Sequence, residues 1–133
     1  PNDDPAEAAT ASVPRRSDEE HITAFVATFG AAHDARDSQS LITSLHPAVV
    51  EAYGVNTCRE HVSATTGGVT DVSVLEIGPE QTILLGGVPV HGVHPVMLTW
   101  SETSTGERTN VNAFFSVTEG SVSWFTNCGQ PST

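Results

Sequence analysis

Two histidines stand three residues apart in His91-Gly92-Val93-His94, between Pro89 and Pro95. Paired imidazoles are the raw material of a metal site or of proton transfer near neutral pH. A metal pair needs further ligands, and no carboxylate or cysteine stands at ligand spacing from these two. Solvated loop histidines are therefore the expectation, with no metal and no cofactor. Cys58 and His61 have the i, i+3 spacing of a helical ligand pair, and Cys128 would be a third ligand, but no fourth is evident. Cys58 and Cys128 have two further readings. One is a disulfide in an oxidising compartment, which is the expectation; the other is a pair of buried thiols in a reduced protein. A bridge closing a loop of some seventy residues stabilises a fold by about 4 kcal/mol in the chain-entropy model.

Other reactive patterns are missing. No Gly-x-Ser-x-Gly elbow surrounds any serine. Gly67-Gly68 and Gly86-Gly87 lead into no phosphate loop, and lysine is absent from the chain. The acid–base groups that remain are Glu51, Tyr53, Glu102, His91 and His94. His21, His33 and His61 fall on expected helices at unrelated spacings, so surface positions are expected for them.

Charge narrows the partners. The 133 residues include 16 acids and 5 bases, for a formal charge of −11. A field of that sign repels phosphate backbones and anionic lipid surfaces, so neither nucleic acid nor such a membrane is an expected partner. Apolar runs are only a few residues long, too short for a transmembrane span. Residues 1–16, with Pro1, Pro5 and Pro14 among Asp, Ala, Thr and Ser, read as a linker or stalk. Such a stretch suits an exported chain that follows a signal peptide or lipid anchor. Residues 17–129 make one domain and 130–133 a short tail.

These residues must be held by an α+β framework. Ser17-Asp18-Glu19-Glu20 has the form of a capping box, and Ile22, Phe25, Val26 and Phe29 follow at helical spacing, which predicts a helix from Asp18 to Arg36. Asp37 or Ser38 caps a second helix carrying Leu41, Ile42 and Leu45. His46-Pro47 ends it, and Val49–Tyr53 is expected as a short extended piece closed by Gly54. A third helix, capped by Thr57, holds Cys58 and Val62. Strands follow: Val72–Ile77, a short Ile83–Leu85, an edge strand or loop over Val88–Val93, a long strand His94–Thr103, Arg108–Thr118, and Ser121–Cys128 after a tight Glu119-Gly120 turn. Three N-terminal helices packed on a curved antiparallel or mixed sheet are the predicted architecture.

Between Ser17 and Gly129 this order resembles the cone-shaped nuclear-transport-factor-2-like (NTF2-like) superfamily. The residues carrying the resemblance are the Ile22/Phe25/Val26/Phe29 helix, the Asp37–Leu45 helix, His46-Pro47-Ala48-Val49-Val50-Glu51, Asn112-Ala113-Phe114 and Glu119-Gly120-Ser121-Val122. The tail Trp124-Phe125-Thr126-Asn127-Cys128-Gly129 is similar to that of small exported bacterial members and lipoproteins of undefined role. The superfamily includes ketosteroid isomerases, polyketide cyclases, dehydratases and purely dimerising modules, so the fold alone does not fix function. The isomerase pattern is broken here. Ala52 stands where the basic Asp follows Val-Glu, Phe29 stands where helix one carries the phenolic donor, and Asn112 takes the place of the second donor. One donor without a base cannot move a proton.

The resemblance therefore implies a cone that binds a small apolar ligand or a protein partner without catalysis, lined by Phe29, Tyr53, Trp100 and Asn112. The alternatives are a cyclase- or dehydratase-like enzyme using the acid–base groups above, and a structural dimerising module with a filled cone. On Arg108–Thr118 the resemblance turns Asn110 and Asn112 into the cone. Val111, Ala113, Phe115 and Val117 then form an apolar outer face that asks to be covered, and a homodimer through this row is expected. The opposite facing, with Val111 and Phe115 in the core, is the competing arrangement.

Overall fold

The computed structural model describes the backbone from Asp3 to Cys128 and side chains from Asp18 onward. The side chains of the stretch read as a linker and the tail 130–133 lie outside the described residues. Four helices precede five strands: α1 (Asp3–Ala35), α2 (Ser38–Thr43), α3 (Pro47–Tyr53), α4 (Val55–Thr65), β1 (Val69–Ile77), β2 (Gln81–Leu85), β3 (Val88–Glu102), β4 (Arg108–Thr118) and β5 (Ser121–Trp124). The α+β class is as expected. Helical backbone already precedes Ser17, so α1 starts earlier than the capping box predicts; the alanine-rich sequence there has high intrinsic helix propensity.

The predicted apolar stripe of α1 is the centre of the core. Ile22, Val26, Phe29 and Ala32 are buried on it, three and four residues apart as one helix face requires. Gly30 lets α1 lie close on β1, since a Cβ there would stand 3.3 Å from the Cβ of Val72. Asp37 caps α2 as expected: one carboxylate oxygen accepts from the Ser40 amide at 3.2 Å and the other from its hydroxyl at 2.7 Å. Both bonds favour the charged form and hold the Asp37 carboxyl below its ordinary value.

The expected extended piece at Val49–Tyr53 is instead the helix α3. Pro47 supplies the fixed φ of a first helical position, and the ring nitrogen Nδ1 of His46 accepts from the Ala48 amide at 3.0 Å. The cap outweighs the strand preference of Val49, Val50 and Tyr53. Gly54, at φ 94°, then joins α3 to α4, and α4 begins at Val55 rather than behind a Thr57 cap. Among the described residues there are thus four helices, not three.

All strand pairings in the sheet are antiparallel, in the order β1-β3-β4-β5, with β2 also on β3. Val88–Val93 is continuous with the following strand, so β3 runs fifteen residues. Its first part pairs with β2 and its last part with β1 along one side, while β4 takes Val93–Ser101 on the other. Pro89 is tolerated because β4 does not reach it, so a missing N–H breaks no ladder on that edge. The Glu119-Gly120 turn between β4 and β5 forms as expected, with φ positive at both residues (51° and 82°).

The facing of β4 is the reverse of the one the resemblance implied. Phe115 is 1% exposed and packs on Phe25 of α1, with ring centroids 5.8 Å apart. Val111, Ala113 and Val117 pack against the same core. Asn110 and Asn112 are exposed. Since the β3–β4 register is unbroken from Val93 to Ser101, alternation holds the two sets on opposite faces. The apolar row therefore faces the helices and is not the outer surface on which a homodimer was expected. Burying Phe, Val and Ala against α1 outweighs any placement of amides there, because amides desolvated without partners are costly.

Cys58 of α4 and Cys128 form a disulfide across 70 residues of sequence. It holds the segment after β5 against the helices. A second tie joins the α2–α3 connection to β5. The His46 amide donates to the Trp124 carbonyl at 2.9 Å, and the Trp124 amide donates to the Ser44 carbonyl at 3.1 Å. The indole Nε1 of Trp124 also donates to the buried Leu41 carbonyl at 2.7 Å.

Candidate functional site

The inner face of β4, the end of α3, the β2 strand and the segment after β5 enclose a cavity of about 580 Å³. Each wall follows from a local feature already described. Alternation on β4 presents Val111, Ala113 and Phe115. The β3 pairing places Leu98 opposite Val111 and Trp100 opposite Thr109. Phe29 comes from the α1 stripe and Tyr53 from the last turn of α3. Ile83, Leu84 and Leu85 of β2 form the rim, with Leu84 72% exposed. Trp124, Phe125, Thr126 and Asn127 complete it, and Cys128 anchors that last wall through the disulfide.

All four residues read from the sequence as cone lining border this cavity: Phe29, Tyr53, Trp100 and Asn112. They do so differently. Phe29 is deep, with its ring 5.1 Å from that of Trp124 and edge-on to it. Tyr53 and Trp100 are half-buried. The Trp100 indole Nε1 donates to a Glu102 carboxylate oxygen at 3.1 Å, which fixes the ring against the wall. Asn112 borders the space as the residue between Val111 and Ala113, while alternation turns its side chain to the solvent face. The short strand Ile83–Leu85 was expected, but nothing in the sequence placed it or the segment 125–127 at this cavity. An alternating apolar pattern cannot say where a hairpin will fold over, although the Cys58–Cys128 pair did mark that the chain end returns to the helices.

The chemistry of the lining is narrow. Among its described residues there is no carboxylate and no imidazole; the polar side chains are Tyr53, Asn112, Thr126 and Asn127, and the indoles Trp100 and Trp124. Of the acid–base groups considered above, only Tyr53 is present. Glu51 is exposed on α3, Glu102 receives the Trp100 indole, and His91 is exposed beside the Thr82 hydroxyl at 2.9 Å.

Two histidines expected at the surface are buried instead. His33 is 8% exposed on α1. Its Nδ1 accepts from the Gly67 amide at 3.0 Å and its ring lies edge-on to Phe29. Burial pushes its pKa below the ordinary value, partly opposed by the Asp34 charge. His94 is 3% exposed on β3, not a solvated loop residue. Cross-strand from Phe115, it is carried into the interior by the same alternation that places Val96 and Leu98. Its Nδ1 lies 2.8 Å from the Gly78 carbonyl oxygen and its Nε2 3.3 Å from an Asp18 carboxylate oxygen. No sequence spacing could link Asp18 to His94, since they are 76 residues apart.

Compared with known proteins, the chain matches no family model, no curated protein and no solved structure.

Proposed function

We propose that the protein is a non-catalytic binding domain of NTF2-like architecture whose cone takes a small apolar, ring-bearing ligand. The observation that carries this reading is the composition of the 580 Å³ cavity, walled by Phe29, Tyr53, Trp100, Phe115, Trp124 and Phe125 without a carboxylate or imidazole among its described lining. Its volume lies in the range of sites for drug-sized ligands. Aromatic rings supply large contact areas and favour offset or edge-on packing with other rings. The Tyr53 and Thr126 hydroxyls stand as polar handles at a largely apolar wall. A protein field of −11 charges disfavours anions, so the ligand is neutral or cationic. The lack of a paired acid and base in the lining favours binding over cyclase- or dehydratase-like turnover. The open space favours it over a structural module with a filled cone. The Cys58–Cys128 bridge supports an exported, extracytoplasmic setting.

The experiment is a fluorescence titration with N-phenyl-1-naphthylamine, a neutral apolar probe with fused and single rings. Trp100 and Trp124 both border the cavity, so occupancy quenches intrinsic fluorescence while the probe brightens. The expected result is saturable binding at one site per chain, weaker for an anionic naphthalene sulfonate of similar size. Linear, unsaturable partitioning with no tryptophan response would contradict the proposal.

A further inference from the structure

We propose that His94, Asp18 and Glu80 form a binding site for a divalent transition-metal ion of the zinc class, outside the apolar cavity. The three side chains come from α1, from the turn between β1 and β2, and from β3. One potential ligand atom of each lies within 4.8 Å of the others.

The hydrogen-bond partner of His94 sets its tautomer. A carbonyl oxygen only accepts hydrogen bonds, so Nδ1, 2.8 Å from the Gly78 oxygen, carries a proton. In the neutral ring Nε2 is then a lone pair. That lone pair is aimed at Asp18 Oδ2, 3.3 Å away, with Glu80 Oε2 at 4.0 Å. Acceptors facing one another in this way need a cation between them, either a second ring proton or a metal ion. A histidine that donates one ring N–H to a backbone carbonyl while presenting the other nitrogen is the usual second-shell arrangement at a metal ligand.

Both cations meet the geometry, and the spacing leaves room for the metal ion. A charge-assisted N–H···O bond draws its heavy atoms to about 2.7–2.9 Å. Tetrahedral ligands about 2.0–2.1 Å from zinc stand about 3.3–3.4 Å apart. The 3.3 Å between His94 Nε2 and Asp18 Oδ2 equals that ligand–ligand edge, and it is also a long hydrogen bond. Glu80 is exposed, with a side chain 60% accessible, so a small rotation brings it into the same shell. One imidazole and two carboxylates suit zinc and its neighbours better than calcium or magnesium, which prefer all-oxygen shells. Three protein ligands with one exposed member leave a fourth position for solvent. The sequence reading found no carboxylate near His91 and His94 because the chain brings these ligands together only after folding. His91 takes no part.

The test is calorimetric titration of the chelator-stripped protein with Zn²⁺, repeated with Co²⁺ followed by its visible absorption. The expected result is one ion per chain. Asp18→Asn and Glu80→Gln should each weaken binding about tenfold or more. His91→Ala should leave it unchanged, and Ca²⁺ should not compete. In the ¹⁵N spectrum of the histidine rings, Zn²⁺ should shift His94 Nε2 while Nδ1 stays protonated. Absence of Zn²⁺ binding overturns the proposal. So does binding that both Asp18→Asn and Glu80→Gln leave intact, which would place the ion on other surface histidines. Neither variant touches the apolar cavity, so this outcome is independent of the ligand titration above.

Discussion

Phe115 is the position where the orientation of the sheet can be measured. Its side chain is 1% exposed, in edge contact with Phe25 and cross-strand from His94 and Trp124. Truncating a buried phenylalanine to alanine costs about 3–5 kcal/mol, and the value depends on how far the surroundings relax. Phe115 also borders the 580 Å³ cavity. The space left by Phe115→Ala therefore joins a void that already exists, so the penalty should sit near the lower end, about 3 kcal/mol. For a domain with a total stability of about 5–15 kcal/mol, that is a large share. With a urea slope of about 1.5–2 kcal/mol per molar, the midpoint should fall by about 1.5–2 M. Phe115→Arg should not fold, because an unpaired guanidinium cannot be held in this core. Urea unfolding followed by tryptophan fluorescence, with sedimentation of each folded variant, provides the assay. A Phe115→Arg chain that stays folded, or a Phe115→Ala change under about 1 kcal/mol, would refute the inward facing of β4 and restore an outer apolar row.

Two further outcomes are expected. Cys58→Ser with Cys128→Ser, or reduction of the wild type, should cost about 4 kcal/mol by chain entropy and loosen the cavity wall formed by 125–127; thermal unfolding with and without reductant, after titration confirms the absence of free thiols in the denatured unreduced chain, measures it. Burial lowers the pKa values of His33 and His46, so the unfolded chain binds more protons below its histidine pKa of about 6.5. Their contribution is complete above that pH and is lost as pH falls through the lowered folded values, because protonated Nδ1 can no longer accept from the Gly67 or Ala48 amide. Urea midpoints should therefore drop between pH 7.5 and 5, and His33→Gln should flatten that drop.

The parts of the fold visible in the sequence were those with local causes. The α1 stripe, the Asp37 cap and the Glu119-Gly120 turn each rest on residues within a few positions of one another. Errors arose where tertiary context decided. Val49, Val50 and Tyr53 favour strand in isolation, yet the His46 cap and Pro47 nucleate α3. Pro89 and Gly92 look like a break, yet the strand edge they occupy faces no neighbour on the β4 side. Facing on β4 is a matter of parity, and a likeness centred on Asn112 assigned the wrong one. Phe29, Tyr53 and Trp100, which only the resemblance suggests as lining, do border the cavity; no local pattern in the sequence requires it. The Asp18–Glu80–His94 cluster was not legible, since its members are joined by no sequence period.

The space beneath β4 is the proposed ligand site. Ala113 lies on its wall, half-buried and opposite Val96, so Ala113→Phe adds a ring to the void without removing any core contact. The measurement is binding of N-phenyl-1-naphthylamine to Ala113→Phe beside the wild type, with the urea midpoint of each as a control for folding. A folded Ala113→Phe chain should bind the probe about tenfold more weakly or not at all, since the occupied volume is no longer available. Equal affinity in the two folded chains would contradict the account, because the probe would then be bound elsewhere.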